Sequence, residues 1–265
     1  MNEMKIIVCL KQVPDPEVSP SSFRIDLEAN ELIGEGVPPV INPYDESALE
    51  VGIRLKESHP QIKLITLSLG KKLARSVLMK ALAVGADELY LIEEPSLEPD
   101  TYITAFILAQ AIKKIGFDLI LTGRQSSDTN MGGVGLEIAE MLNIPAISWA
   151  QKVELINNSL KVTRITPEGY ETIKGSLPAL ITISHEAGEL RRPSLAQIHQ
   201  AKNKPIYFLN IKELGIAQLP DLTIKLIQLR TPERERKCQI ISSENPEQAG
   251  AMLVEILVAK RIIIP

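Results

Sequence analysis

Gly123-Arg-Gln-Ser-Ser-Asp-Thr-Asn-Met-Gly-Gly-Val-Gly135 is the stretch of this 265-residue sequence best equipped for chemistry. Glycines let a backbone approach an anion closely, and the free N–H groups that open a following helix point at it. The run therefore reads as a phosphate cradle, to which Arg124 can add a charge-assisted contact. A plain connecting loop with turn-forming residues uses the same composition, so glycine content alone leaves both readings open. Two phosphate signatures are excluded. No Gly-Lys-Ser/Thr follows, as a Walker loop requires. The first apolar run is followed by Lys11-Gln-Val-Pro-Asp15, with no glycine where a Gly-x-Gly-x-x-Gly turn would need it.

Acid–base and metal chemistry find little support. His59 precedes a proline and reads as a surface residue, and His185 and His199 are not at metal-ligand spacing. Asp15, Asp45 and Asp128 can converge near strand ends, where capping or nucleotide hydrogen bonding explains them better than proton transfer. No serine nucleophile elbow is present. Cys9 lies in an apolar run and reads as a small hydrophobe, and its distance in sequence from Cys238 gives no disulfide framework. We expect no catalytic residue and no metal.

The elements around the cradle alternate. Lys5–Leu10 is a continuous apolar run, as a strand buried on both faces requires. Phe23–Asp26 and Glu31–Ile33 flank a turn at Glu28–Asn30 and suit a small hairpin. Asn42 can cap a helix, Pro43 fits its first position, and Asp45 favours the positive end of its dipole. That helix should end near Glu57. Strands follow at Ile62–Leu69, Glu88–Ile92 and Asp118–Thr122. Helices fall between them, over Leu73–Leu82 with Gly85 as the stop and over Thr101–Ile115 with Gly116 as the stop. A helix from the cradle to Leu142, with Asn143 past its end, and a short strand at Ala146–Ser148 complete the series. Parallel strands need crossovers, and the crossovers cover the sheet. The fold class is therefore α/β, a doubly wound parallel sheet of Rossmann-like, adenine-nucleotide-binding type, with ligands expected outside the carboxyl ends of the strands.

After Trp149 the pattern changes. Val153–Ile156, Leu160–Ile165, Tyr170–Ser176 and Leu180–Ser184 read as β segments of a small antiparallel extension, the first two joined at Asn157-Asn158. A polar loop at Glu186–Pro193 leads to a short helix from Ser194 to Ala201. Beyond Lys204-Pro205 the chain is irregular, with a strand expected at Leu222–Leu229, polar Thr231–Lys237 and a helix from Glu247 to Ala259. We divide the chain into residues 1–205, the nucleotide-binding domain, and 206–265, a C-terminal arm that packs on the main domain or on a partner. The formal net charge of -4 argues against nucleic acid, and the Arg234–Lys237 run reads as a solvated stretch. No apolar stretch spans a bilayer and no signal peptide is seen, so we expect a cytoplasmic protein that is not integral to a membrane.

Several spaced motifs together resemble the electron-transfer flavoprotein beta family across Lys5 to Ile206. They are Lys11-Gln-Val-Pro-Asp15, Asn42-Pro-Tyr-Asp-Glu46, Leu55-Lys-Glu57, Ala81-Leu-Ala-Val-Gly-Ala-Asp87, Thr122-Gly-Arg-Gln125, Ile144-Pro145, Leu177-Pro178 and Ala201-Lys-Asn-Lys-Pro205. The resemblance implies an electron-carrying subunit that is not an enzyme. It would form a heterodimer with an alpha subunit carrying redox-active FAD. It also implies AMP in this chain, or a second FAD in electron-bifurcating members. By the resemblance, nucleotide contacts fall at Cys9, at Asn42, Pro43, Tyr44 and Asp45, and at Leu69. They continue along the loop through Arg124, Gln125, Ser126, Ser127, Asp128, Thr129, Asn130, Met131, Gly132, Gly133 and Val134. The segment at about 184–194 resembles the family's recognition loop for a flavin dehydrogenase of the acyl-CoA dehydrogenase type. Its partner contacts would be Ala187, Gly188, Glu189, Leu190 and Arg191.

Three departures qualify these implications. Bifurcating members show Asp-Gly-Asp-Thr-x-Gln-Val-Gly where this chain has Asp128-Thr-Asn-Met-Gly-Gly-Val-Gly135, so Met131 and Gly133 replace the Thr and Gln and AMP leads over FAD. Ala187 stands where the recognition loop's anchoring leucine is expected, with Leu190 as a substitute. Pro16 stands where an aromatic near the partner's flavin is expected. Two other functions compete. A free-standing nucleotide-binding or sensing module of related fold would need no partner. An adenylating or ATP-pyrophosphatase enzyme would need a Ser-Gly-Gly-x-Asp-Ser loop, which Lys11–Asp15 is not.

Overall fold

The computed structural model describes residues 3–27, 31–157, 159–230 and 238–263. The turn expected at Glu28–Asn30, half of the Asn157-Asn158 turn and the Thr231–Lys237 stretch lie outside the described residues. Contacts group the chain into two units, Met1–Leu229 and Arg230–Pro265.

In the first unit a nine-stranded sheet organises the chain. Its members are β1 (Met4–Cys9), β6 (Ile62–Gly70), β7 (Glu88–Glu93), β8 (Leu119–Gly123), β9 (Ala146–Ile156), β10 (Ser159–Thr166), β11 (Gly169–Ser176), β12 (Ala179–Ile183) and β13 (Ile206–Leu209), in the order β11-β10-β9-β12-β8-β1-β6-β7-β13. Two small ribbons stand apart: β2 (Gln12–Pro14) with β5 (Pro39–Ile41), and β3 (Phe23–Asp26) with β4 (Glu31–Gly34). The helices are α1 (Pro43–Ser58), α2 (Arg75–Val84), α3 (Thr101–Ile115), α4 (Val134–Leu142) and α5 (Leu195–Ala201).

Successive residues of a strand point to opposite faces, and here each face has its own core. Ile6 and Val8 of β1 join Leu64, Leu121 and Ile181 in a cluster with Leu49 and Ile53 of α1 and Leu78 and Leu82 of α2. Ile7 and Cys9 join Ile65, Leu67 and Ile120 in a second cluster with Ile107 and Ile112 of α3 and Ile138 of α4. This is the doubly wound α/β arrangement expected from the alternation. The helix stops are also those expected: Gly85 and Gly116 have positive φ, and Asn143 is left-handed.

Three features differ from the sequence expectations. Ala146–Ser148 and Val153–Ile156 belong to one eleven-residue strand, β9, which continues through Trp149 at φ 61 with shifted register on both neighbours. β12 pairs in parallel with β8 and β9 inside the main sheet, so the antiparallel extension consists of β10 and β11 growing from the far part of β9. Leu222–Leu229 alternates as a strand should but is not a strand in the structure, whereas β13, unnoticed in the sequence, forms an edge of the sheet beside β7. The second unit contains α6 (Pro246–Ala259), capped by Asn245, whose side chain accepts from the Gln248 amide.

Candidate functional site

From β1 the chain proceeds through β6 to β7 on one side, then returns to β8 on the other side of β1. The strand order therefore reverses between β1 and β8, and a crevice must open beyond their carboxyl ends. Asp45, in the first turn of α1, sits across it. One carboxylate oxygen accepts from the Lys11 amide just after β1 at 2.7 Å, and the other accepts from the Gly123 amide that ends β8 at 3.0 Å. Burial pushes the Asp45 carboxyl up to about 7, against those same amide bonds, which favour the ionised form. The expected use of Asp45 for the helix dipole is thus joined by a second: it staples the two strand ends that frame the crevice.

Gly123 makes the staple possible. A Cβ there would stand 2.7 Å from Tyr44 Cβ and closer still to Asp45 Oδ1. Gly135 plays the same part for α4, because a Cβ there would stand 2.6 Å from Thr122 Oγ1. Gly123 and Gly135 thus act by permitting close approach of loop and helix to the sheet, while Gly132, at φ 69, serves a left-handed turn.

Asn42 occupies the N-cap position of α1 but makes no side-chain cap bond, contrary to the sequence expectation. Its amide nitrogen donates to Gln125 O at 2.9 Å and its oxygen accepts from Ser127 N at 3.1 Å. A side chain with both a donor and an acceptor can tie down a loop that offers both, and here the loop wins over the helix end. The loop holds itself by further bonds: Ser126 with Thr129, Gln125 with Asn130, and Lys11 Nζ with Asp128 at 2.7 Å. Asp128 is held below its usual range; burial alone would raise it, and the Lys11 bond and charge outweigh that.

Arg124 is placed by aromatic faces. Its guanidinium carbon lies 4.2 Å from the Trp149 ring centroid and 5.0 Å from that of Tyr44, with Ser184 Oγ accepting at 3.4 Å. The Tyr44 ring meets His185 edge-on at 5.8 Å. Arg124 Nε and Ser127 Oγ are buried here with no hydrogen-bond partner. Cys9 and Leu69, at the carboxyl ends of β1 and β6, are both 8% exposed. Burial, with the nearby Asp45 charge, raises the Cys9 thiol far above its usual range, so it remains a neutral wall rather than a nucleophile. Met131, at the loop's tip, is exposed.

The structure thus gathers Asn42, Tyr44, Asp45, Arg124, Gln125, Ser127 and, through Lys11, Asp128 into one crevice. Sequence reasoning missed Trp149, Ser184 and the bonding of Lys11; no local pattern marks residues that meet only through the sheet order. The recognition segment starts beside the crevice, at Ser184 and His185, and runs on beyond β12. There Ala187 is buried and Leu190 packs against the core, so neither projects as an anchor. Leu195, on the first turn of α5, is 85% exposed, and Ile198 is exposed one turn on. Ser194 and Gln197 form a capping box that fixes this helix start.

A family model described as the electron transfer flavoprotein domain matches residues 31–214. An electron transfer flavoprotein subunit beta from Thermoanaerobacterium thermosaccharolyticum is 37% identical, covering 98% of this chain and 100% of the relative. The caffeyl-CoA reductase-Etf complex subunit CarD of Acetobacterium woodii is 32% identical over 98% of this chain and all of its own length. Protein FixA of Sinorhizobium fredii is 32% identical over 92% and 90% of the two chains. The chain belongs to the electron transfer flavoprotein beta-subunit family, whose members are electron carriers rather than enzymes.

Proposed function

We propose that this chain is the nucleotide-binding half of a heterodimer with a larger, FAD-carrying alpha subunit. It holds AMP in the crevice between β1 and β8 and brings a flavin dehydrogenase of the acyl-CoA dehydrogenase type to the partner's flavin. The observation that carries the nucleotide reading is the pair of buried donors left over at the crevice, Arg124 Nε and Ser127 Oγ. A buried donor without a partner costs about 1–3 kcal/mol, a cost that a bound phosphate or ribose removes. The crevice therefore fits a nucleotide.

AMP suits the donor set better than FAD. Lys11 is already neutralised by Asp128, which leaves Arg124 as the cation of the 124–133 loop. One phosphate asks for less compensation than two, and the amides opening α4 supply the rest. The partner's FAD supplies the redox chemistry. This chain's residues hold the nucleotide, order the loop through Asn42, and present Leu195 and Ile198 as an apolar anchor for the donor. Among the described residues no helix is long and apolar enough to cross a membrane.

Co-expression with the larger partner, denaturation of the purified complex and counting of the released nucleotides test the reading. One FAD and one AMP per heterodimer are expected. Two FAD would replace AMP by a second flavin in this crevice and bring electron bifurcation forward. A chain that purifies alone with its nucleotide would instead be a free-standing binding module.

A further inference from the structure

The segment that leads to α5 is tied back to α1, the same helix whose first turn carries Asp45. Arg191 makes the tie. Its Nη2 donates to Glu50 Oε1 at 3.0 Å, and its Nε and backbone amide donate to Glu50 Oε2 at 3.1 and 3.2 Å. The same guanidinium reaches Glu57, two turns along α1, with Nη2 to Oε2 at 3.0 Å and Nη1 to Oε1. Arg54, one turn from Glu50, donates to it at 2.9 Å and to the Ala187 carbonyl at 3.0 Å. Gly188 passes so close, at φ +124, that a Cβ would stand 2.8 Å from Arg54 Nη2.

Glu50 is 3% exposed, so its charge depends on these partners. Burial would raise its carboxyl, and the Arg191 bonds outweigh that and hold it below its usual range. A planar fork engaged with two carboxylates has no comparable geometry left for a second protein. Arg191, expected among the partner contacts, is committed within its own chain.

We propose that Arg191 is a positioning residue: it clamps residues 187–191 onto α1 and so fixes the direction in which α5 offers Leu195 and Ile198 to the donor flavoprotein. The inference rests on the docking reading above, and the two can fail separately.

The test uses the co-expressed heterodimer with a short-chain acyl-CoA dehydrogenase reduced by butyryl-CoA. Arg191→Met keeps the stem and removes the fork. It should raise the dehydrogenase concentration at half-maximal rate about tenfold, because a segment no longer preorganised must be ordered on docking. The kcat, nucleotide content and direct reduction by dithionite should stay as in the wild type. Arg191→Lys restores the charge without the fork and should recover part of the loss. Amides of residues 188–194 should exchange faster in Arg191→Met and not in Leu195→Ala.

If Leu195→Ala leaves half-saturation unchanged, or the dehydrogenase does not reduce the wild type, the docking reading itself fails and takes the clamp with it. If Leu195→Ala weakens docking and Arg191→Met does not, or if the 188–194 amides keep their protection, the clamp alone is overturned. Should Arg191→Met not fold, Glu57→Gln removes the exposed half of the clamp and carries the same readouts.

Discussion

α3 and α6 are alike in length and apolar content and opposite in burial. Both run for about four turns, both are rich in Ala and larger aliphatic residues, and both begin on a capping side chain. α3 buries Ile103, Ala105, Ile107, Leu108, Ala109, Ala111 and Ile112 against the sheet, while no residue of α6 is buried. The apolar content of α3 is explained within the chain. That of α6 is not, and Met252, Leu253 and Val254 stand exposed. Apolar sequence marks a surface to be covered; it does not say by what. For α6 the larger subunit is the cover that the proposed function supplies.

Matched substitutions put the comparison at risk. Ile107→Ala in α3 should cost about 2–5 kcal/mol in urea unfolding of the isolated chain, the range for a fully buried isoleucine. A loss under about 1 kcal/mol would mean that α3 is no better buried than α6.

Next come the caps. Asp100 accepts from Tyr102 N at the start of α3, and from Thr223 N and Ile224 N of the segment 123 and 124 residues on. Asp100→Ala should therefore exceed an ordinary cap and cost about 2 kcal/mol. The effect has a pH signature. Burial would raise this carboxyl, and the bonds from Ile224 and Thr223 hold it below its usual range instead. A group lowered on folding contributes fully above its unfolded value, about pH 4, and loses that contribution as the pH falls through the folded one. The gap between wild type and Asp100→Ala should be flat from pH 7 to about 5 and close in acid; a gap that widened in acid would refute the bonding. Asn245→Ala, the counterpart at α6, should cost about 0.5–1 kcal/mol, read as faster exchange of the α6 amides while global unfolding stays put.

Leu253→Ala should be smallest, within about 0.5 kcal/mol for the chain alone. It should nonetheless weaken association with the larger subunit, measured by titration. Unchanged association would leave the exposed face of α6 without an account.

Much of the frame was legible because its signals are local. Buried parallel strands are near-continuous apolar runs, and Gly85, Gly116 and Asn143 stop their helices where the chain says they should. The loop at Gly123–Gly135 stood out for the same reason. What was illegible is what the sheet assembles from afar. Asp45 meets amides 34 and 78 positions away, and Arg191 meets Glu50 across 141. β9 was cut in two because Gln151-Lys152 interrupts its apolar residues, and β13 was missed because Tyr207 and Phe208 face outward on an edge. Leu222–Leu229 has strand periodicity, but periodicity supplies no neighbour.

The central place of β1 has a consequence in time. Its residues pair with β6 on one side, Ile6 beside Leu64, and with β8 on the other, Ile6 beside Leu119. On a ribosome adding about 5–20 residues per second, β1 waits on the order of ten seconds for its second neighbour to be synthesised. Until then its Ile7 and Cys9 side has only half a floor, and the crevice has one wall. The nucleotide proposed for the crevice can thus be held only after β8 and the loop that follows it have been made.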